Sequence, residues 1–124
     1  MSKKTPTVIG ITAASSGTGK TTLIEKLIPD LLHKNINVSV VKHAHHNFDI
    51  DYPGKDSYRL RTSGAFQTLI FNKKRSALIT EYTQESETLE KMIAQMDQGV
   101  DLIIVEGLKE GEFKKIEVYR PAHS

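Results

Sequence analysis

The sequence predicts an α/β domain with a mostly parallel, mixed sheet. Three observations predict it. A β-branched apolar run, TVIGITA over residues 7–13, leads through a glycine-rich loop into apolar residues at helical spacing. A second β-branched run, VSVVK over 38–42, follows. Strand, helix and strand in that order make a βαβ unit, which implies a parallel pair. Further on, LIIV over 102–105 is apolar throughout, as a strand covered on both faces should be.

The elements follow in order. In the helix expected over 21–33, Leu23, Leu27 and Leu31 form one row and Ile24, Ile28 and Leu32 the next. Pro29 lies inside that pattern and predicts a kink, costing ~3 kcal/mol if nothing compensates. After the strand at 38–42 comes a polar stretch, HAHHNFDIDYPGKD over 43–56, with Pro53-Gly54 fitting the centre of a type II turn. Asp56 or Ser57 is expected to cap a short helix through Thr62, closed by Gly64. Residues 66–71 and 77–82 read as two strands joined by Asn72-Lys73-Lys74-Arg75 in a hairpin. Leu89, Met92, Ile93 and Met96 have the spacing of an amphipathic helix, with Gly99 ending it. The strand at 102–105 runs into Glu106-Gly107, and 116–119 is a short final strand. No repeat, low-complexity segment or linker interrupts the chain, so 1–124 is expected to be a single domain.

Composition narrows the function. Seventeen Lys and Arg against fifteen Asp and Glu leave a net charge of +2, too slight to argue for a nucleic acid or a membrane as partner. There is no cysteine, hence neither a disulfide framework nor thiolate chemistry. The start, MSKKTPTVIGIT, carries charge and then an apolar run that soon meets the glycine-rich loop, so it reads as a strand and not a signal segment. No apolar stretch approaches the ~18 residues that span a bilayer. A soluble, cytoplasmic protein is expected.

The loop itself carries chemistry. In ITAASSGTGKTT, Gly19, Lys20 and Thr21 match a P-loop's Gly-Lys-Ser/Thr, while its leading glycine is replaced by Ala14. Alanine is the smallest replacement, and the backbone accepts it where φ stays negative. The loop follows a buried strand and opens a helix, so its N–H groups converge on an anion. Gly17 and Gly19 let backbone approach a ligand. Lys20 supplies a cation for β- and γ-phosphates, and the Thr21 hydroxyl is placed to ligate Mg²⁺. Glu106, at the end of an apolar strand, is expected to join the magnesium shell, although Asp is commoner there. Asp101, at the other end of that strand, lies too far away to share the site. The expected architecture is therefore a P-loop NTPase-like three-layer fold.

Lys42, His43, His45, His46, Asp49, Asp51 and Asp56 cluster past the carboxyl end of the second strand, where open α/β sheets bind ligands. Three readings stay open: a transition-metal site, contacts to nucleotide, magnesium or a partner, and a solvated loop. Lys42 and His43, nearest the strand, are expected beside the phosphates. His46, Asp49 and Asp51 are expected on a recognition loop.

The segments ITAASSGTGKTTLIEKLIPDL, VVKHAHHNFDIDYPGKDSYRLRTSGA, DLIIVEGLK and KIEVYR, in that order, resemble the MobB family of adapters in molybdopterin-guanine dinucleotide biosynthesis. The histidine–aspartate–PGKDSYR stretch is the most specific part. The resemblance implies a dimeric GTP-binding protein that assists a molybdopterin guanylyltransferase in joining a GMP moiety to molybdopterin. It places Ser15, Ser16, Gly17, Thr18, Gly19, Lys20, Thr21 and Thr22 on the phosphates, and Thr21 and Glu106 on Mg²⁺. It also implies that a C-terminal segment usual in the family is lacking. The guanine-reading Asn-Lys-x-Asp pattern is absent, since Asn72-Lys73 is followed by Arg75 where Asp is needed. The assignment to GTP therefore rests on the resemblance.

No glutamine is placed to orient an attacking water, so at most a slow GTPase is expected. The alternative is a P-loop small-molecule kinase, for which Arg59 and Arg61 are candidate lid residues. A partitioning-type ATPase ranks behind it, because Ser15 stands where that class has a lysine.

Overall fold

The computed structural model of the chain describes residues 5–13, 19–44, 48, 50–51, 53–82, 88–107 and 113–118. In chain order the elements are β1 (Thr7–Ala13), α1 (Lys20–His33), β2 (Val38–Lys42), α2 (Asp56–Thr62), β3 (Gln67–Phe71), β4 (Ser76–Thr80), α3 (Leu89–Ala94), β5 (Leu102–Glu106) and β6 (Lys114–Val118). They fall into two compact units, one of residues 1–45 with 87–124 and one of residues 46–86.

The first unit holds a four-stranded sheet in the order β2-β5-β1-β6. Every pairing in it is parallel. β5 is central, and Ile103, Ile104 and Val105 are buried, which accounts for its unbroken apolar run. α1 brings Ile24 against Ile11 and Ile104, with Leu23, Ile28, Val38, Leu102 and Val118 packed around them. Each such aliphatic side chain contributes about 1.5–3 kcal/mol on burial. α1 runs unbroken through Pro29. It ends where Asn35 turns left-handed at φ 61° and donates its N–H to the Leu32 carbonyl at 3.0 Å. Asp101 sits at the start of β5, where its carboxylate accepts the Asn37 N–H at 2.8 Å.

The expected stop of the third helix is corrected. α3 closes at Ala94 with Gln95 as its cap, and Gly99 instead lends its N–H to the Asp97 side chain at 2.7 Å. Its start is a Thr88 cap, whose Oγ1 accepts the Lys91 N–H at 3.3 Å.

The second unit pairs β3 and β4 antiparallel, from Gln67 opposite Thr80 to Phe71 opposite Ser76, as a sheet of their own. At the turn, Asn72 Oδ1 accepts the N–H groups of Lys74 at 2.8 Å and Arg75 at 3.0 Å, and the Asn72 N–H reaches the Arg75 carbonyl at 2.9 Å. A short polar side chain that fastens its own turn is why asparagine suits this place. α2 also differs from expectation. Its N-cap is Lys55, without a side-chain bond, and Asp56 is already helical. Neither Asp56 nor Ser57 therefore caps it, and Asp56 instead complements the first-turn dipole. Gly54 takes φ 95° and Gly64 φ 119°, conformations that glycine adopts without a Cβ penalty.

Candidate functional site

Parallel pairing in register brings the carboxyl ends of β1, β2 and β5 to one edge of the first unit. Ile11 of β1 and Lys42 of β2 both lie opposite Glu106 of β5. α1 begins at this edge, with Gly19 at φ 98° before Lys20. Thr21, on the first turn of α1, donates its hydroxyl to Glu106 Oε1 at 2.7 Å across 85 residues of chain. Glu106 is only 7% exposed. A buried carboxylate needs a hydrogen bond or a charge, and the hydroxyl supplies the first of these.

The chain then turns away at once. Gly107 takes φ 89° and donates its N–H to the Ile11 carbonyl at 3.0 Å. A β-carbon there would stand 3.7 Å from both the Lys20 ammonium and the His43 carbonyl. The space would admit one, but the positive φ disfavours it. The Lys20 ammonium thus lies close to the turn that follows Glu106. His43 donates its N–H to the Glu106 carbonyl at 3.2 Å, continuing the ladder beyond β2.

Of the residues expected to bind nucleotide, Gly19, Lys20, Thr21, Lys42, His43 and Glu106 gather at this edge. Thr22 follows on α1 and is exposed. Ala14, Ser15, Ser16, Gly17 and Thr18 lie outside the described residues, as do His45, His46 and Asp49. Among the described residues no three His, Asp or Glu side chains are grouped as metal ligands. Chemically the edge offers a hydroxyl and a carboxylate oxygen side by side, the hard donors Mg²⁺ takes, and a lysine ammonium, which suits a phosphate oxygen.

Asp51 corrects an expectation. It is not an open recognition side chain but is buried in the second unit, where Oδ1 receives Arg61 Nη2 at 2.8 Å. The other guanidinium nitrogen, Nη1, reaches Glu81 at 3.0 Å, and the guanidinium carbon lies 5.1 Å from the Tyr58 ring centroid. The Arg61 hydrogen bond holds the Asp51 carboxyl below its ordinary range, against the opposing effect of burial and with a smaller pull from Ser57. Arg61, a candidate kinase lid residue, is engaged by these carboxylates. Nothing local in the sequence announces the cluster, because its members stand 10 and 20 residues apart.

Among the described residues no helix is long and apolar enough to cross a membrane. Over residues 8–124 the chain matches the family described as "Molybdopterin guanine dinucleotide synthesis protein B". It is 50% identical to the molybdopterin-guanine dinucleotide biosynthesis adapter protein of Escherichia coli (strain K12), over 87% of this chain and 63% of that protein. To the Haemophilus influenzae protein of the same name it is 45% identical, over 91% of this chain and 63% of the relative. The chain thus spans about 63% of the length of each of these relatives. Among solved structures, one of a molybdopterin-guanine biosynthesis protein B superposes with a TM-score of 0.70 at 28% identity, covering 89% of this chain and 67% of that one.

Proposed function

This chain belongs to the MobB family, and from that premise we propose that it is a cytoplasmic adapter that binds GTP with Mg²⁺ and assists a guanylyltransferase in joining a GMP moiety to molybdopterin. One observation carries the nucleotide part: the 2.7 Å bond that sets the Thr21 hydroxyl on the Glu106 carboxylate at the mouth of a parallel sheet. Two oxygen donors so placed fit a Mg²⁺ ion. In this reading Ser15 to Thr22 hold the phosphates, with Lys20 as their fixed cation, and Lys42 and His43 line the same edge. Bound Mg²⁺ would neutralise phosphate charge. The adapter role and its partner enzyme rest on the named relatives.

Hydrolysis is slow in this reading. Among the described residues of the first unit there is no arginine, and its glutamines, Gln95 and Gln98, follow α3 and not the strand ends. The expected rate for the protein alone is at or below the order of 10⁻³ s⁻¹, that of an unassisted Ras-type GTPase. Phosphate release followed over hours measures it, and a rate near 1 s⁻¹ would reveal an unrecognised catalytic group.

The working species is proposed to be a homodimer formed through the second unit. Ile50 is 65% and Phe66 63% exposed. They border the Asp51–Arg61–Glu81 cluster at the open end of the hairpin, where the Glu81 N–H meets the Phe66 carbonyl at 2.9 Å. Apolar surface of this kind marks an interface.

The decisive experiment is calorimetric titration with GTP, ATP and GDP, with and without Mg²⁺, on the native protein and on Thr21→Ala. The proposal expects GTP to bind best with Mg²⁺ and Thr21→Ala to lose most of the Mg²⁺ dependence. Equal binding with and without Mg²⁺ would remove Thr21 and Glu106 from the metal's shell.

A further inference from the structure

The two faces of the hairpin differ. Register places Leu69 opposite Leu78 and Phe71 opposite Ser76, so these share one face, while Thr68, Ile70, Ala77 and Ile79 share the other. On the second face Thr68 is buried, Ala77 and Ile79 are half-buried and Ile70 is 42% exposed. On the first, Leu69 is 60%, Phe71 74% and Leu78 54% exposed. This apolar face runs directly into the turn that carries Lys73, Lys74 and Arg75. A shallow recess of about 530 Å³ lies there, lined by Leu69, Phe71 and residues 72–76.

From Phe66 to Thr80 the hairpin carries these three cations and no acidic residue. Among the described residues none of the three forms an ion pair. The three hydrogen bonds around Asn72 fasten the turn, so the cations are borne on an ordered frame. Adjacent like charges on such a frame repel one another, and a ligand bearing carboxylates relieves the repulsion. The apolar lining adds a place for an aliphatic or aromatic anchor, the arrangement of an apolar centre with a charged rim.

We propose that this hairpin tip is the docking surface for an acidic segment of a partner protein that carries an apolar anchor residue. The proposal rests on the adapter reading and names the surface by which the adapter holds its partner. A second copy's tip fits poorly, since two such turns repel. A single-stranded nucleic acid fits less well: three cations neutralise about three phosphates, and Phe71 is the single ring this face offers for stacking against a run of bases. The proposed dimer contact lies at the other end of the hairpin, about 17 Å along the strands.

The test uses the full chain and the molybdopterin guanylyltransferase as probe. Lys73→Glu/Lys74→Glu/Arg75→Glu reverses the tip and keeps Asn72, and Phe71→Ala removes the lining. Calorimetry at low and high salt gives affinity for the enzyme, GTP titration and light scattering report nucleotide binding and oligomeric state, and circular dichroism checks the fold. The expected result is at least about tenfold weaker binding of the enzyme by the triple variant, ~1.4 kcal/mol or more, with a flattened salt dependence. Phe71→Ala is expected to weaken binding while keeping the salt dependence. GTP affinity and oligomeric state are expected to stay as in the native protein. Native-like binding of the enzyme by both variants overturns the proposal and leaves the adapter reading standing. Failure of the native protein to bind the enzyme overturns the adapter reading and the proposal with it. Loss of the dimer in the triple variant assigns the tip to a second copy, and binding of a single-stranded oligonucleotide that only the native tip supports assigns it to nucleic acid. Either result also overturns the proposal.

Discussion

The two units are built on opposite economies of burial. In the first, the enclosed side chains are mostly aliphatic: Ile11, Ile24, Ile103, Ile104 and Val105, with Glu106 and Thr12 beside them. In the second, the only buried residues among those described are Asp51 and Thr68, while Phe48, Ile50, Leu60, Phe66, Leu69, Phe71 and Leu78 stand exposed. A parallel sheet with a helix laid across it makes an interior. A seven-residue helix against a two-stranded hairpin does not, and such hairpins are marginal alone. The first unit therefore has an apolar interior of its own, with Thr21 and Glu106 paired at its sheet edge. The second is fastened by charge around Arg61 and leaves much of its apolar surface exposed.

The largest expected effect tests the core of the first unit. Ile103→Ala leaves a cavity in fully enclosed packing and is expected to cost ~2–5 kcal/mol in denaturant unfolding. Leu69→Ala, on the open face of β3, is expected to stay within ~0.5 kcal/mol in dilute protein. A large loss from Leu69→Ala would mean that the second unit has an interior after all.

Next comes Lys20→Ala, expected to weaken triphosphate binding at least about tenfold, ~1.4 kcal/mol or more, with the fold intact. Titration of the folded variant checks it. Native-like affinity would break the assignment of the ligand to the first unit.

Arg61→Ala sharpens the contrast from the other side. It strands the buried Asp51 carboxylate without its cation. Hydrogen exchange should speed up over residues 67–80 and change little in β1 and β5. Triphosphate affinity should stay within about threefold of native, ~0.7 kcal/mol. Asp51→Ala acts on the same cluster, so a loss of adapter activity in it would report a loosened unit before it reported recognition.

The smallest effect is one of pH. Asp51 has its pKa lowered in the folded state, chiefly by the Arg61 hydrogen bond. The folded unit therefore binds this proton less readily than the unfolded chain does. The stability so gained is complete above the unfolded value of about 3.9 and is lost as pH falls from there through the lowered folded value. Exchange protection of β3 and β4 should fall in that acid window in the native protein and fall less in Arg61→Ala. The same slope in both would assign the acid sensitivity to another carboxylate.

Local signals in the chain were enough to read most of the elements. β-branched runs marked β1, β2 and β5, the leucine and isoleucine rows marked α1, and Gly-Lys-Thr marked the turn from strand to helix, because each of these signals is local. Thr21 and Glu106 were legible as a pair only through the known habit of such loops. That the two oxygens lie 2.7 Å apart was decided by the parallel register that carries residue 106 back beside residue 11. Cap positions were less legible: Lys55 opens α2 and Gln95 closes α3 where neighbouring residues had stronger propensities, and a cap's ~1 kcal/mol is a weak signal. Folding alone buries Asp51, lets Arg61 bridge it to Glu81, and leaves the hairpin a sheet of its own with Leu69, Phe71 and Leu78 exposed on one face. Alternation along a strand tells which residues share a face, but not whether anything packs against it. An ion cluster among residues 51, 61 and 81 leaves no periodic mark, since its energy depends on distances that the chain acquires only by folding back on itself.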